Sequence, residues 1–181
     1  MRIVYYAAAS LDGRIAGPDH DLAFLQTLAG GVDAYGYAEF FAEIDGLVMG
    51  AGTYEFMTRH SWPYGDLPTW LVTHRDDLPD IEGANVRRFS GDVRDLVREL
   101  EEAGLERVWL VGGGKLAAQF LEADCLDELI LTFAPTFVGR GPALADGELP
   151  LRRFRLVSVR RPEDTDGATL RYERVSDGSL D

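Results

Sequence analysis

Short apolar runs, separated by turn chemistry and helix-period stretches, set the order of this chain. Arg2 to Ala9 carries Ile3-Val4-Tyr5-Tyr6 into alanines without alternating, the pattern of a strand buried on both faces. Leu47-Val48-Met49, Thr69 to Val72, Asn85 to Phe89, Val108 to Val111 and Leu126 to Ala134 are further short, β-prone runs bounded by glycine, charge or turn residues. Between the first two, Asp33 is placed to cap a helix whose Tyr37, Phe40, Phe41 and Ile44 form an apolar stripe, with Gly36 inside it. Ser90 or Asp92 caps a second, with Val93, Leu96, Val97 and Leu100 on one face and Gly104 at its end. Phe24 to Gly31 keeps neither period. Phe154 to Val159 and Thr169 to Arg174 alternate in period two around Asp166-Gly167, the signature of an antiparallel hairpin. The order predicts an α/β fold with a mostly parallel sheet and an antiparallel end, as a single domain over 1–175 with 176–181 as a frayed tail.

The chemistry concentrates where strands give way to helices through glycine. Val108 to Val111 stops on Gly112-Gly113-Gly114 and restarts as a helix pattern with Lys115, Leu116, Ala117 and Phe120. Glycines let the backbone approach an anion, and the unpaired N–H groups of a helix start attract its charge. Gly50-Ala51-Gly52-Thr53 repeats the arrangement after Met49, and two such sites suit a ligand with two phosphates. The triplet fits the dinucleotide fingerprint only formally, since it comes late and the next strand ends on Thr132-Phe133-Ala134 without an acid. It is no Walker A loop, because Leu116 stands where Ser or Thr must hold magnesium. A tight turn with glycines present for close packing is the other reading. Thr73-His74-Arg75 leaves the third strand, and Arg75 either forks a phosphate monoester or pairs with Asp76 or Asp77. The Trp-, Pro- and Tyr-rich loop between Arg59 and Pro68 either lines a pocket or covers one side of the core, with cover favoured.

Composition narrows the partners. A chain of 181 residues with 46% hydrophobic content is long enough for one well-buried core, and a net charge of −13 repels nucleic acid and anionic membrane. The lone Cys125 leaves no internal disulfide and no cysteine-based metal site, and it is expected to pack inertly. The apolar start is too short to span a membrane and lacks a cleavage site, so a cytoplasmic protein is expected.

Three separated pieces, Ser10-Leu11-Asp12-Gly13-Arg14-Ile15-Ala16, Met49-Gly50-Ala51-Gly52-Thr53-Tyr54-Glu55 and Val111-Gly112-Gly113-Gly114 with Gln119-Phe120-Leu121 behind it, together resemble the dihydrofolate reductase superfamily. The likeness is in particular to the reductase domain of bacterial riboflavin biosynthesis proteins and its free-standing relatives. It implies a three-layer sandwich, a homodimer and an NADPH-dependent oxidoreductase that passes hydride to a small heterocyclic, pterin-type or ribosylamino-pyrimidine substrate. Carried over, it implies Gly50, Gly52, Thr53, Thr73, His74, Arg75, Gly112, Gly113, Gly114, Lys115 and Leu116 as cofactor contacts. Ala8, Ser10, Gly13 and Tyr37 become substrate contacts. Asp12, in the loop that closes over nicotinamide and substrate, and Asp33, near the folate-binding carboxylate of the superfamily, become the catalytic acids, with a helix-cap role for Asp33 beside this one. Ala51 stands where dihydrofolate reductases carry an arginine, so 2′-phosphate recognition rests on His74 and Arg75. Val111 stands where the riboflavin enzymes carry a glutamate. True dihydrofolate reductase is the alternative enzyme, and a nucleotide-binding module or sensor without turnover is the alternative of another class.

Overall fold

In a computed structural model, which describes residues 1–175, eight strands join in one sheet. They are β1 (Arg2–Ala9), β2 (Gly46–Gly50), β3 (Thr69–Val72), β4 (Val86–Phe89), β5 (Arg107–Gly112), β6 (Glu128–Phe133), β7 (Phe154–Arg160) and β8 (Ala168–Arg174). Every expected run is therefore a strand, with ends moved by a residue or two. Residues 176–181, expected as a frayed tail, lie outside the described residues. The spatial order is β4-β3-β2-β5-β1-β6-β8-β7, with β1 to β6 parallel throughout, β8 antiparallel to β6 and β7 antiparallel to β8.

The unbroken apolar runs follow from helices on both faces of the parallel part. Ile3 and Tyr5 of β1, Val48 of β2 and Val108 and Leu110 of β5 point into one layer. There they meet Val93, Leu96 and Leu100 of the helix Val93–Glu102, and Leu116, Ala117 and Phe120 of the helix Gly114–Glu122. Their neighbours Val4, Tyr6, Leu47, Met49 and Trp109 point into the other layer with Phe40, Ile44, Tyr54 and Leu71. In chain order the helices are α1 (Gly31–Ala34), α2 (Tyr37–Phe41), α3 (Ala51–Thr58), α4 (Val93–Glu102) and α5 (Gly114–Glu122). Asp92, not Ser90, caps α4, its Oδ1 accepting from Arg94 N at 2.7 Å.

One expected helix is two. The stripe from Asp33 to Ile44 breaks at Gly36, whose φ of +97° ends α1 and opens α2, a left-handed backbone that costs glycine little. The bend lets Tyr35 turn inward, 1% exposed, against Phe24 and Leu28, instead of continuing a helix over solvent. Asp33 therefore sits inside α1 with an exposed side chain and caps nothing.

Candidate functional site

The connections leave a crevice where β2 and β5 lie side by side. From β2 the chain passes through α3 to β3 on one side, and from β5 through α5 to β6 on the other. Adjacent parallel strands whose connections part in this way open a crevice beyond their carboxyl ends, the usual place for a ligand in such sheets. Here the crevice is a cleft of about 500 Å³. Gly50, Gly52 and Thr53 at the start of α3 line one wall, and Gly113, Gly114, Lys115 and Leu116 at the start of α5 line another. Thr73 and His74, just past β3, close the far end. Each helix start offers first-turn amides without a partner in its own helix, together with the positive end of its dipole.

A strap holds one rim of this cleft. Leu144 N donates to Gly13 O at 2.9 Å, Ile15 N to Pro142 O at 3.0 Å and Asp146 N to Gly114 O at 3.0 Å. The Tyr5 hydroxyl donates to Leu144 O at 2.8 Å. Segment 142–146 thereby ties the loop after β1 to the first turn of α5, and its Pro142 and Asp146 line the cleft.

The three glycines of the triplet are not equivalent. Gly112 has φ +114° and is joined to Gly113 by a cis peptide bond. Gly113 is extended at φ −80°, ψ −170°, so its backbone suits any residue, and a β-carbon there would come 3.8 Å from Thr53 Oγ1 across the cleft. At Gly114 a β-carbon would lie 2.0 Å from Ala143 O, inside the strap.

A second pocket of about 300 Å³ adjoins the first and shares Ile15, His20 and Thr53 with it. Its floor is aromatic. Trp109 lies edge-on to the rings of Tyr6, Tyr37, Phe40 and Tyr64, with centroids 6.0, 5.9, 5.4 and 5.5 Å away, and donates Nε1–H to Tyr6 O at 3.0 Å. Phe24, Leu25, Phe56 and Met57 are among its walls. Burial pushes the Tyr6 hydroxyl up to about 12, and raises those of Tyr37 and Tyr64 as well, so all three stay protonated and neutral at neutral pH.

Most expected contacts meet in these two spaces. Gly50, Gly52, Thr53, Thr73, His74, Gly113, Gly114, Lys115 and Leu116 line the cleft, and Ala8 and Tyr37 line the aromatic pocket. The others do not. Arg75 turns away: Asp77 takes its Nε and Nη2 at 2.9 and 2.8 Å and Glu55 takes Nη1 at 3.0 Å, so the guanidinium is spent on carboxylates. Asp12 braces its loop. Its carboxylate accepts from Val138 N at 2.9 Å, Gly139 N at 2.8 Å and Ser10 Oγ at 2.7 Å, and these donors, Val138 first, hold its pKa down at about 2. Ser10 is fully buried between Asp12 and Arg14 N, and Gly13 only turns the loop at φ +72°, so neither reaches the pocket. Gly112 lies behind the cleft against the Tyr5 ring. Asp33 is exposed and lines neither space.

Two lining residues, Tyr64 and His20, were not among the expected contacts. Tyr64, from the loop expected to cover the core, is 5% exposed in that core and also faces the pocket, so the loop does both. His20 stands where the two spaces meet, at φ +61° directly after Asp19 at +55°. Consecutive left-handed residues that are not glycine are costly and tend to gather at functional sites. The available signal was its place in the long loop leaving the carboxyl end of β1.

Comparison with known proteins places this geometry. The model of the RibD C-terminal domain matches residues 60–165, more than half of the chain. A Bacillus subtilis protein, YwjB, is 30% identical over 142 residues, 77% of this chain and 80% of its own length. The riboflavin biosynthesis protein RibD of Bacillus amyloliquefaciens is 27% identical, and there the match spans 78% of this chain but only about half, 48%, of the relative. Among solved structures, a Shewanella sp. PV-4 protein assigned to riboflavin biosynthesis superposes with a TM-score of 0.84 at 26% identity, over 97% of this chain and all of the other. Dihydrofolate reductase of Enterococcus faecalis, complexed with NADP(H), shares the fold at a TM-score of 0.67 and 18% identity, over 97% of both chains. With a family model over 60–165, which takes in β3 to β7 and the start of α5, the chain belongs to the RibD C-terminal domain family.

Proposed function

We propose that the protein is an NADPH-dependent reductase that passes hydride to a small heterocycle held in the aromatic pocket. The observation that carries this is the junction: two helix starts face one cleft, and that cleft opens through Ile15, His20 and Thr53 into a separate aromatic pocket. A dinucleotide needs such a pair of spaces, one for its phosphates and one where its reactive ring meets a substrate. The 2,5-diamino-6-ribosylamino-4(3H)-pyrimidinone 5′-phosphate reductase of Archaeoglobus fulgidus, 28% identical over 44% of this chain, supports the reaction class.

The residues present fit the cofactor. Gly50 and Gly113 leave the cleft walls without side chains, and the first turns of α3 and α5 aim amides at two phosphate positions. Lys115 adds an exposed cation beside them. With Arg75 held by Asp77 and Glu55, recognition of the 2′-phosphate falls to His74 and Thr73. When bound, NADPH supplies two electrons and one hydrogen to an electron-poor carbon, and a proton from the medium completes the reduction. The chain's own part is to orient the substrate on the Trp109 floor, exclude water with its aromatic walls and present neutral hydroxyls at the pocket surface. A homodimer in the cytoplasm completes the reading. Among the described residues, no helix is long and apolar enough to cross a membrane.

Fluorescence titration with NADPH tests the assignment. Lys115 is exposed, so Lys115→Glu should leave the thermal midpoint unchanged and weaken NADPH at least about tenfold, the worth of a charge-assisted contact replaced by repulsion. Unaltered affinity in the variant, or no NADPH binding by wild type, overturns the cleft as a cofactor site.

A further inference from the structure

The aromatic pocket carries information that the cleft does not. Among the described residues lining it, none is Asp, Glu, Lys or Arg, and His20, at the border with the cleft, is the one group able to carry positive charge. Its hydroxyls belong to Tyr5, Tyr6, Tyr37, Tyr64 and Thr53, and that of Tyr5 is already donated to Leu144 O. One arginine comes near without lining it: Arg160, close enough to act on the Tyr6 hydroxyl, pairs with Glu39 at 3.4 Å. A dianionic phosphate entering this space would lose water and find no cation, and an unpaired buried charge is among the most unfavourable things a protein can hold. Flat rings and a few neutral hydroxyls suit a different guest, bound by stacking and oriented by one or two hydrogen bonds.

We propose that the substrate of this enzyme is an uncharged, planar heterocycle that bears no phosphate, set apart from the 5′-phosphate named for the Archaeoglobus fulgidus reductase. This rests on the reductase reading only for the word substrate; the pocket's preference among ligands is a property of its lining. Positive charge lies in the neighbouring cleft, at Lys115, where the cofactor's own phosphates would take it up. A phosphorylated compound would therefore compete for the nucleotide space before it filled the aromatic one.

Two matched pairs that differ by phosphate groups alone test this: riboflavin against FMN, and 6-hydroxymethyl-7,8-dihydropterin against its diphosphate. Each is titrated into the full chain, without and with saturating NADPH, and binding is followed through the protein's tryptophan fluorescence. The unphosphorylated member of at least one pair should bind tenfold or more tightly than its partner once NADPH fills the cleft. Equal or tighter binding of the phosphorylated members, or no binding of either flat ring below millimolar concentration, overturns the proposal. Val32 lines the pocket and is 38% exposed, so Val32→Arg brings in the missing cation at little cost to the fold. It should narrow the gap about tenfold by strengthening the phosphorylated members. A gap that Val32→Arg leaves unchanged overturns the lack of a cation as its cause. The reductase reading fails by a separate result, absence of NADPH binding, and the ligand preference is still read from how far Val32→Arg narrows the gap, since Val32 lines the aromatic pocket and not the cleft.

Discussion

Gly112, Gly113 and Gly114 lack side chains for three different reasons, and substitution can tell them apart. Gly114 sits under the strap, where a β-carbon would be 2.0 Å from Ala143 O and backbone must move. Gly114→Ala should therefore destabilise the fold by about 1 to 3 kcal/mol, the usual range for overpacking, and lower the thermal midpoint. Gly113 is already extended and faces open cleft, so Gly113→Ala should fold like wild type yet lose NADPH affinity at least about tenfold, because the methyl occupies the backbone's approach to the ligand. Equal loss of stability in both variants would mean that the triplet serves packing alone. Asp12 allows a second test at this scale. Its folded pKa of about 2 is below the ordinary 3.8 of a free aspartate, so its contribution to stability is complete above the unfolded value and is lost as pH falls through about 2. Asp12→Asn keeps an acceptor for only one of the two amides of Val138 and Gly139. Thermal midpoints of variant and wild type should differ near neutrality and converge toward pH 2. A variant that keeps the wild-type midpoint at every pH would show that the carboxylate braces nothing.

At the scale of elements, the proposed reductase reading makes the segment after β3 the place of cofactor choice. Thr73 Oγ1 accepts from Arg75 N at 3.0 Å, and this turn, with Asp77 and Glu55 beyond it, swings the arginine out while leaving His74 on the cleft. His74→Ala should reduce the preference for NADPH over NADH by roughly tenfold, whereas Arg75→Ala should change it less than about threefold. If titration calorimetry finds the reverse, the ion pairs of Arg75 open in the complex and the arginine is the 2′-phosphate ligand after all. Much of this was legible in the sequence. Strands reveal themselves because each face of the parallel sheet is covered, which forces unbroken apolar runs such as Ile3 to Tyr6, and the glycines after β2 and β5 mark the helix starts that flank the cleft. What stayed hidden depends on tertiary partners. Arg75 reads the same in sequence whether it meets a phosphate or Asp77, and Asp12 gives no sign that Val138 and Gly139, more than a hundred residues on, supply its donors. The helix from Asp33 failed because its periodic stripe outweighed Gly36, and the burial of Tyr35 that justifies the bend needs Phe24 and Leu28 from another segment. Trp109 was read as a buried strand residue, which it is at 6% exposure, but a pocket floor is buried too, and periodicity does not distinguish the two.

At the scale of the whole molecule, the two edges of the sheet differ. An unpaired edge strand invites another chain, and charge is a common way to discourage it. At the β4 edge, Arg87 lies over the Trp70 ring at 5.1 Å and Arg88 donates to Leu78 O, so the strand is short and cationic. At the other edge β7 runs from Phe154 to Arg160 with Leu156, Val157 and Val159 exposed at 48%, 44% and 57%, and its charges, Arg155 and Arg160, stand near its ends. With a net charge of −13 opposing close approach of two copies, an apolar strip left bare on both faces of a seven-residue strand would be a liability for a monomer. A second copy of the chain, laid against β7, would cover these three residues and complete the sheet edge. Light scattering at micromolar concentration should then give about 40 kDa, twice the 20.0 kDa of the chain. Val159→Lys, which changes the most exposed of the three and no residue of either ligand space, should shift the mass to that of one chain while NADPH binding persists. A wild-type mass near 20 kDa would leave β7 as an edge guarded only by its terminal arginines, and a dimer that survives Val159→Lys would move the interface to another face.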